Sequence, residues 1–186
     1  MSSSTLLRPS GRVTPFGLRE VCLTIAGLSL LTLAAALTLE HIGYRPCPLC
    51  LEERIAFYAA IPTTLVGFIL TRSAPLLTRI LLALISLAFV YNAGLCTYHA
   101  GVEWHWWLGP DECSGVSPLT SSGVELLNKL NKGIAGVVRC DEAPIRILGI
   151  SLAGYGAALS ALLALLAGIA SAGWLSLLGV FWRRNS

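Results

Sequence analysis

Apolar residues in this chain come in long unbroken runs instead of the two-residue or four-residue alternation of a water-facing surface. A helix needs about 20 apolar residues to cross the hydrocarbon of a bilayer, and four stretches meet that length. The first, residues 21–39, holds no charge from Val21 to Leu39. The second, about 51–70, carries Glu52, Glu53 and Arg54 only in its first turn, and the third, about 76–95, has Arg79 near its start. The fourth begins at Ile145 and stays apolar to Trp182. That is longer than one crossing, so Gly168 and Gly173 are expected to divide it into a span over 145–167 and a shorter interfacial segment. The pattern predicts an all-α integral membrane protein: one domain over 1–186, a four-transmembrane-helix bundle with loops at 40–50 and 96–144. Within the longer loop Val124, Leu127, Leu130, Ile134 and Val137 recur at three- or four-residue spacing with Lys129 and Lys132 between them. They read as a short amphipathic helix resting on the membrane surface.

Composition agrees. Of 186 residues 55% are apolar and 12% charged, with a mean hydropathy of +0.72. Soluble domains carry about 25% charged residues, so an ordinary water-soluble enzyme and a disordered chain are both excluded. The first run resembles a secretory signal, with basic residues before it and Ala34-Ala35-Ala36 near its end, but its apolar core is too long. It is expected to stay as a span. Small residues four apart, Gly156, Ser160, Ala164 and Gly168, are expected to pack the last span closely against a neighbour.

Charge gives the orientation, because basic residues cross membranes poorly. Arg8, Arg12, Arg19, Arg72, Arg79, Arg183 and Arg184 share one face with a single acid, Glu20. The other face has six basic residues against nine acids. Both termini are therefore expected in the cytoplasm. A fifth crossing would put Arg183 and Arg184 outside, which favours four. The net charge of +3 is scattered and gives no nucleic-acid footprint.

Six cysteines need a chemical reason. Cys22 and Cys96 fall in or beside spans, where a thiol packs as a small apolar group. Cys47, Cys50, Cys113 and Cys140 all fall on the non-cytoplasmic side, where disulfides persist. Cys47-Pro48-Leu49-Cys50 is a Cys-x-x-Cys pair at the entry to the second span. Such a pair can ligate metal, form a structural bridge or cycle electrons. At a helix N-terminus, with Pro48 suited to the first helical position, the free N–H groups and the dipole favour a thiolate. Arg54 lies four residues beyond Cys50, on the same face, and would stabilise the Cys50 thiolate or a charge developing beside it. The alternatives are a snorkelling cation or a pair with Glu52 or Glu53. Cys113 follows Asp111 and Glu112, and Cys140 precedes Asp141 and Glu142. Acidic neighbours disfavour thiolate, so these sulfurs look more like an exposed disulfide awaiting attack than poised nucleophiles; a purely structural bridge is the alternative.

At the start of the long loop, Trp104, Trp106 and Trp107 read as an interfacial anchor. His99, nearer the span than His105, is the better candidate to bond a ligand or relay protons. A zinc or copper site is not expected, since Cys113 and Cys140 stand apart and no second tight ligand pair accompanies the Cys-x-x-Cys.

These residues resemble the DsbB family of bacterial inner-membrane thiol oxidases. The resemblance rests on Arg45-Pro46-Cys47-Pro48-Leu49-Cys50 followed by Glu53-Arg54, on two cysteines in the second loop, and on four spans. The stretches Tyr98-His99-Ala100-Gly101-Val102-Glu103-Trp104 and Cys140-Asp141-Glu142-Ala143-Pro144 are similar to a subgroup of that family. The resemblance implies a route for electrons from a periplasmic thioredoxin-like dithiol protein of the DsbA type to a membrane quinone, ubiquinone or menaquinone. The partner would attack a Cys113–Cys140 disulfide through Cys113. A Cys140–Cys47 bond would follow, and Cys50 would face the quinone with Arg54 and His99 as its binding residues. A specialised paralogue with a dedicated partner, and a structural or metal-handling membrane protein with stapling disulfides, are the competing readings.

Overall fold

The computed structural model describes residues 17–110, 140–141, 143 and 145–184. Helix α1 spans Leu18–His41, α2 Pro48–Leu70, α3 Pro75–Glu103 and α4 Leu152–Arg184, with a two-stranded hairpin, β1 Arg146–Ile147 and β2 Ile150–Ser151, before α4. Among the described residues four helices are long and apolar enough to cross a membrane, the last through its Leu152–Ala172 stretch. At 1.5 Å per residue, even the 23 residues of α2 reach about 34 Å, beyond the hydrocarbon thickness. This is a multi-pass helical membrane protein.

The helices run antiparallel in sequence order. Short links, 42–47 and 71–74, join α1 to α2 and α2 to α3. Contacts descend along one helix as they ascend the next: Phe57 meets Phe89 edge-on with ring centroids 5.4 Å apart, and Thr78 Oγ1 donates to Gly67 O at 3.1 Å. Val21, Ile25, Phe57, Ala60, Leu82, Phe89, Leu163 and Ala167 form a core drawn from all four helices. Outside it, Leu31, Ile69 and Leu87 are each about two-thirds exposed or more. That outward apolar surface is what a bilayer solvates.

The small-residue stripe of α4 lies on α3, as expected from its spacing. A Cβ added at Gly156 would sit 3.2 Å from Cys96 Sγ, and one at Gly168 3.1 Å from Ser86 Oγ. The close approach lets polar groups pair: Asn92 Nδ2 donates to Ser160 Oγ at 2.9 Å, and Ser86 Oγ to Ala164 O at 2.8 Å. Cys22 and Cys96 are buried in this body as free thiols.

Three boundaries differ from the sequence expectation. Helix α3 does not stop near 95 but continues to Glu103, so Cys96 and His99 are helical and the long loop begins after them. The fourth span starts at Leu152 instead of Ile145, because residues 146–151 fold back as the hairpin, pairing Arg146 with Ser151 and Ile147 with Ile150. Its turn places Leu148 and Gly149 at φ 52° and 82°, the left-handed pair of a tight hairpin turn. Nor do Gly168 and Gly173 break α4, which is continuous to Arg184. Glycine weakens a helix by only about 1 kcal/mol, and close packing of Gly168 against Ser86 offsets that. The amphipathic stretch 124–137 lies outside the described residues.

Candidate functional site

The site forms where the C-terminal ends of α1 and α3 meet the start of α2. Cys47 is the N-cap of α2, with extended backbone, and Pro48 takes the first helical position. The cap geometry decides the chemistry of the pair. Cys47 Sγ accepts the backbone N–H of Cys50 at 3.2 Å, the bond an N-cap side chain makes to the third helical residue. Both cysteines are free thiols, with Cys50 Sγ 2.7 Å from Cys47 Sγ. The hydrogen bond from the Cys50 side chain, reinforced by that backbone N–H, holds the Cys47 thiol below its ordinary pKa against the opposing effect of burial. The spacing of Arg54 from Cys50 points to a Cys50 thiolate; the hydrogen bonds instead favour it on Cys47, because the cap position, not the third helical position, faces the free N–H groups.

His99 joins the site from α3 and is 3% exposed. Its Nε2 lies 3.6 Å from Cys47 Sγ and its Nδ1 2.7 Å from Glu53 Oε1. Glu53 accepts only, so the ring carries its proton on Nδ1 and turns an acceptor nitrogen toward the thiol. Glu103, one helical turn beyond, brings Oε1 to 3.9 Å from Nε2. Neither carboxylate is expected from the sequence as a partner of His99. The four-residue spacing of His99 and Glu103 was a legible signal; the Glu53–His99 contact joins residues 46 apart and was not.

Arg54 is not paired with Glu52 or Glu53. Its Nη1 bonds Glu40 Oε1 of α1 at 2.8 Å, the guanidinium being mostly buried. Arg54, Cys50, Glu53, His99 and Glu103 line one cavity of about 390 Å³, whose remaining wall includes Leu31, Ala35, Leu39, Phe57 and Leu159. One end of it is polar, where Arg54 and His99 stand beside the carboxylates of Glu53 and Glu103, and the body is apolar.

Cys140 is buried beside Cys47, packed with Leu49 and Val102. It is disulfide-bonded. Its Sγ, Cys47 Sγ and a ring nitrogen of His99 all lie within 4.8 Å of one another. Three such donors are within reach of one metal ion, but a sulfur held in a disulfide is a poor ligand. The same proximity is what thiol–disulfide exchange needs. Cys113 lies outside the described residues. His105 is exposed, as expected, while the tryptophans form a cap: Trp107 stacks on Tyr98 with ring centroids 6.0 Å apart and donates to Tyr98 O at 2.8 Å.

Residues 18–170 match the family described as disulfide bond formation protein DsbB. The chain belongs to the DsbB family. Relatives include a disulfide bond formation protein B of Herminiimonas arsenicoxydans, 37% identical over 56% of this chain and 62% of that protein. One of Chromohalobacter salexigens is 28% identical over 85% of this chain and 95% of its own length. An uncharacterized protein of Rickettsia prowazekii, RP370, is 27% identical over 79% of this chain and 84% of its own. No solved structure matches the chain. Four spanning helices with a Cys-x-x-Cys cap agree with DsbB membership, and disulfide oxidoreductase activity is the general activity that membership carries.

Proposed function

We propose that this DsbB-family chain is a thiol oxidase of the bacterial inner membrane, both termini cytoplasmic, that reoxidises a periplasmic thioredoxin-like protein of the DsbA type and passes the electrons to a membrane quinone. The observation that carries the reading is the sulfur sequence itself: disulfide-bonded Cys140 near Cys47, Cys47 against Cys50, and Cys50 on the cavity wall.

The cavity suits a quinone ring, which is flat, apolar and bears acceptor oxygens. Its apolar wall would receive the ring; Arg54 is the donor able to meet an oxygen, and His99 becomes one at Nε2 once that nitrogen has taken the Cys47 proton. A bound quinone, ubiquinone or menaquinone, would supply the two-electron acceptor. The chain's own residues do the rest. Cys113 takes the partner's thiolate in a mixed disulfide, and release of the partner as disulfide leaves Cys113 and Cys140 reduced. The Cys140 thiolate then attacks the oxidised Cys47–Cys50 pair at Cys47, forming a Cys140–Cys47 bond and freeing Cys50. Cys113 closes back on Cys140, and the Cys47–Cys50 dithiol faces the cavity. His99 Nε2 accepts the Cys47 proton, and Glu53 holds the ring in the tautomer that can do so. Arg54 offsets negative charge gathering at the polar end of the cavity, its own position held by Glu40.

Purified protein mixed with a reduced DsbA-type partner and ubiquinone or menaquinone should consume one quinone per disulfide made. No quinone consumption with either quinone overturns the reading and favours a stapling role for the cysteines.

A further inference from the structure

Glu103 has no part in the route above, and its environment is unusual. It is 4% exposed, and its Oε2 has no hydrogen-bond partner among the described residues. A buried carboxylate with an unsatisfied oxygen is costly unless a charge or a proton compensates it. His99 Nε2 lies 3.9 Å from its Oε1 on one side, ion-pair range and a small side-chain movement from a hydrogen bond. Arg146 Nη2, from the hairpin, bonds the Glu103 backbone carbonyl at 3.3 Å, and Ser151, the last residue of β2, hydrogen-bonds the carboxyl through its side chain. The remaining titratable groups around the pair are Cys47, Cys50 and Glu53 at the start of α2 and Cys96 on α3, with Tyr44, Arg45, Arg54 and Tyr155 on the cavity wall. His99 is thus bracketed, Glu53 on Nδ1 and Glu103 toward Nε2, and only Glu103 shares the side of the ring that faces Cys47.

We propose that Glu103 is the proton-holding residue behind His99: it stabilises the imidazolium formed when Nε2 takes the Cys47 proton, then receives that proton and gives it up at the cavity. This deepens the proposed function and rests on Cys47–Cys50 being the reacting pair. The balance closes. As the S–S bond forms, the two sulfurs lose two electrons and two protons, for which a bound quinone would be the acceptor, reduced to the quinol. The Cys50 proton is released at the cavity directly, and the Cys47 proton travels by Nε2 and the Glu103 carboxyl, returning His99 to its neutral form. Glu103 acts through His99 and is a positioning residue toward the sulfur.

The test is a titration of the reduced full-length protein in detergent, without quinone or partner. It follows thiolate ultraviolet absorbance with the Cys47→Ser trace subtracted. Three roles for Glu103 give three signs. A carboxylate that merely packs moves nothing when replaced by Gln. One that acts only through its field eases Cys47 ionisation when neutralised, lowering the midpoint. One that stabilises the imidazolium raises the midpoint, and the expected result is an increase of about one unit, a roughly tenfold smaller thiolate fraction at the wild-type midpoint's acid side. In a His99→Asn background the upward shift should vanish. An unmoved or lowered midpoint in Glu103→Gln overturns the inference. Should that variant fail to fold, Glu103→Asp keeps the charge but withdraws it from Nε2, and its midpoint must also rise. Because quinone is absent, failure of wild-type quinone reduction would count against the proposed function alone, and an unmoved midpoint against this inference alone.

Discussion

Cys47 and Cys50 are three residues apart, and the helix start gives them different hydrogen-bond roles: Cys47 accepts the Cys50 backbone N–H and shares a second hydrogen bond with the Cys50 side chain. A thiol held below its ordinary pKa is ionised over the pH interval between its depressed value and the ordinary one, and in that interval it outpaces a free cysteine in exchange. Since the Cys50 side chain is the largest contributor, Cys50→Ala should raise the pH at which Cys47 ionises while leaving the backbone N–H contribution. Thiolate absorbance against pH checks this, and a curve identical to wild type would remove Cys50 as the cause. Arg54 makes a second residue-scale case. Its Arg54→Met variant should raise the KM for quinone about tenfold, the worth of one charge-assisted hydrogen bond, with Cys113–Cys140 exchange unchanged. It should also lower Tm, because Glu40 loses its partner. Unaltered quinone kinetics with a lowered Tm would reduce Arg54 to a structural ion pair.

Helix contacts carry the site more than any single bond does. The α3–α4 seam closes because Gly156 and Gly168 leave room for Cys96 and Ser86. Overfilling such a seam costs about 1–3 kcal/mol, so Gly156→Leu should lower Tm and, by displacing α3, slow quinone reduction as well. Gly168→Leu presses on Ser86, well below His99 along α3, and should lower Tm with less effect on rate. Thermal unfolding in detergent beside quinone turnover separates the two, and equal effects on rate would contradict a local seam. Gly101 is a similar case at the loop end. An added Cβ would run into the Trp107 ring, so Gly101→Ala should unstack Trp107 from Tyr98, read as a change in tryptophan fluorescence.

At the scale of the molecule, the antiparallel bundle collects Cys47, Cys50, His99, Glu53, Glu103 and Cys140 at one end, and Arg19, Arg72 and Arg79 at the other. The basic end is expected to face the cytoplasm. A membrane-impermeant maleimide applied to intact cells should modify a cysteine introduced at His105 and spare one at Arg72, measured over the wild-type background. The reverse labelling pattern would invert the orientation and separate the cysteines from an oxidising compartment.

How much of this was legible beforehand follows from the range of the forces involved. Hydrophobic runs, basic flanks, the Cys-x-x-Cys cap with Pro48 and the small-residue spacing of α4 are local or periodic, so four spans, the helix start at Cys47 and the packing face of α4 could be read from the residues alone. The extension of α3 to Glu103 could not, because past residue 95 Tyr98, His99 and Glu103 lower the hydropathy on which spans are recognised, while the helix persists through buried polar contacts. The hairpin at 146–151 was hidden inside an apolar run, since Ile147, Leu148 and Ile150 look the same in a strand as in a span. Tertiary structure alone decided which charges meet. Arg54 stands beside two glutamates in sequence yet reaches Glu40, and Glu53 turns to His99, because helix faces set by packing, rather than distance along the chain, determine which side chains share a low-dielectric space.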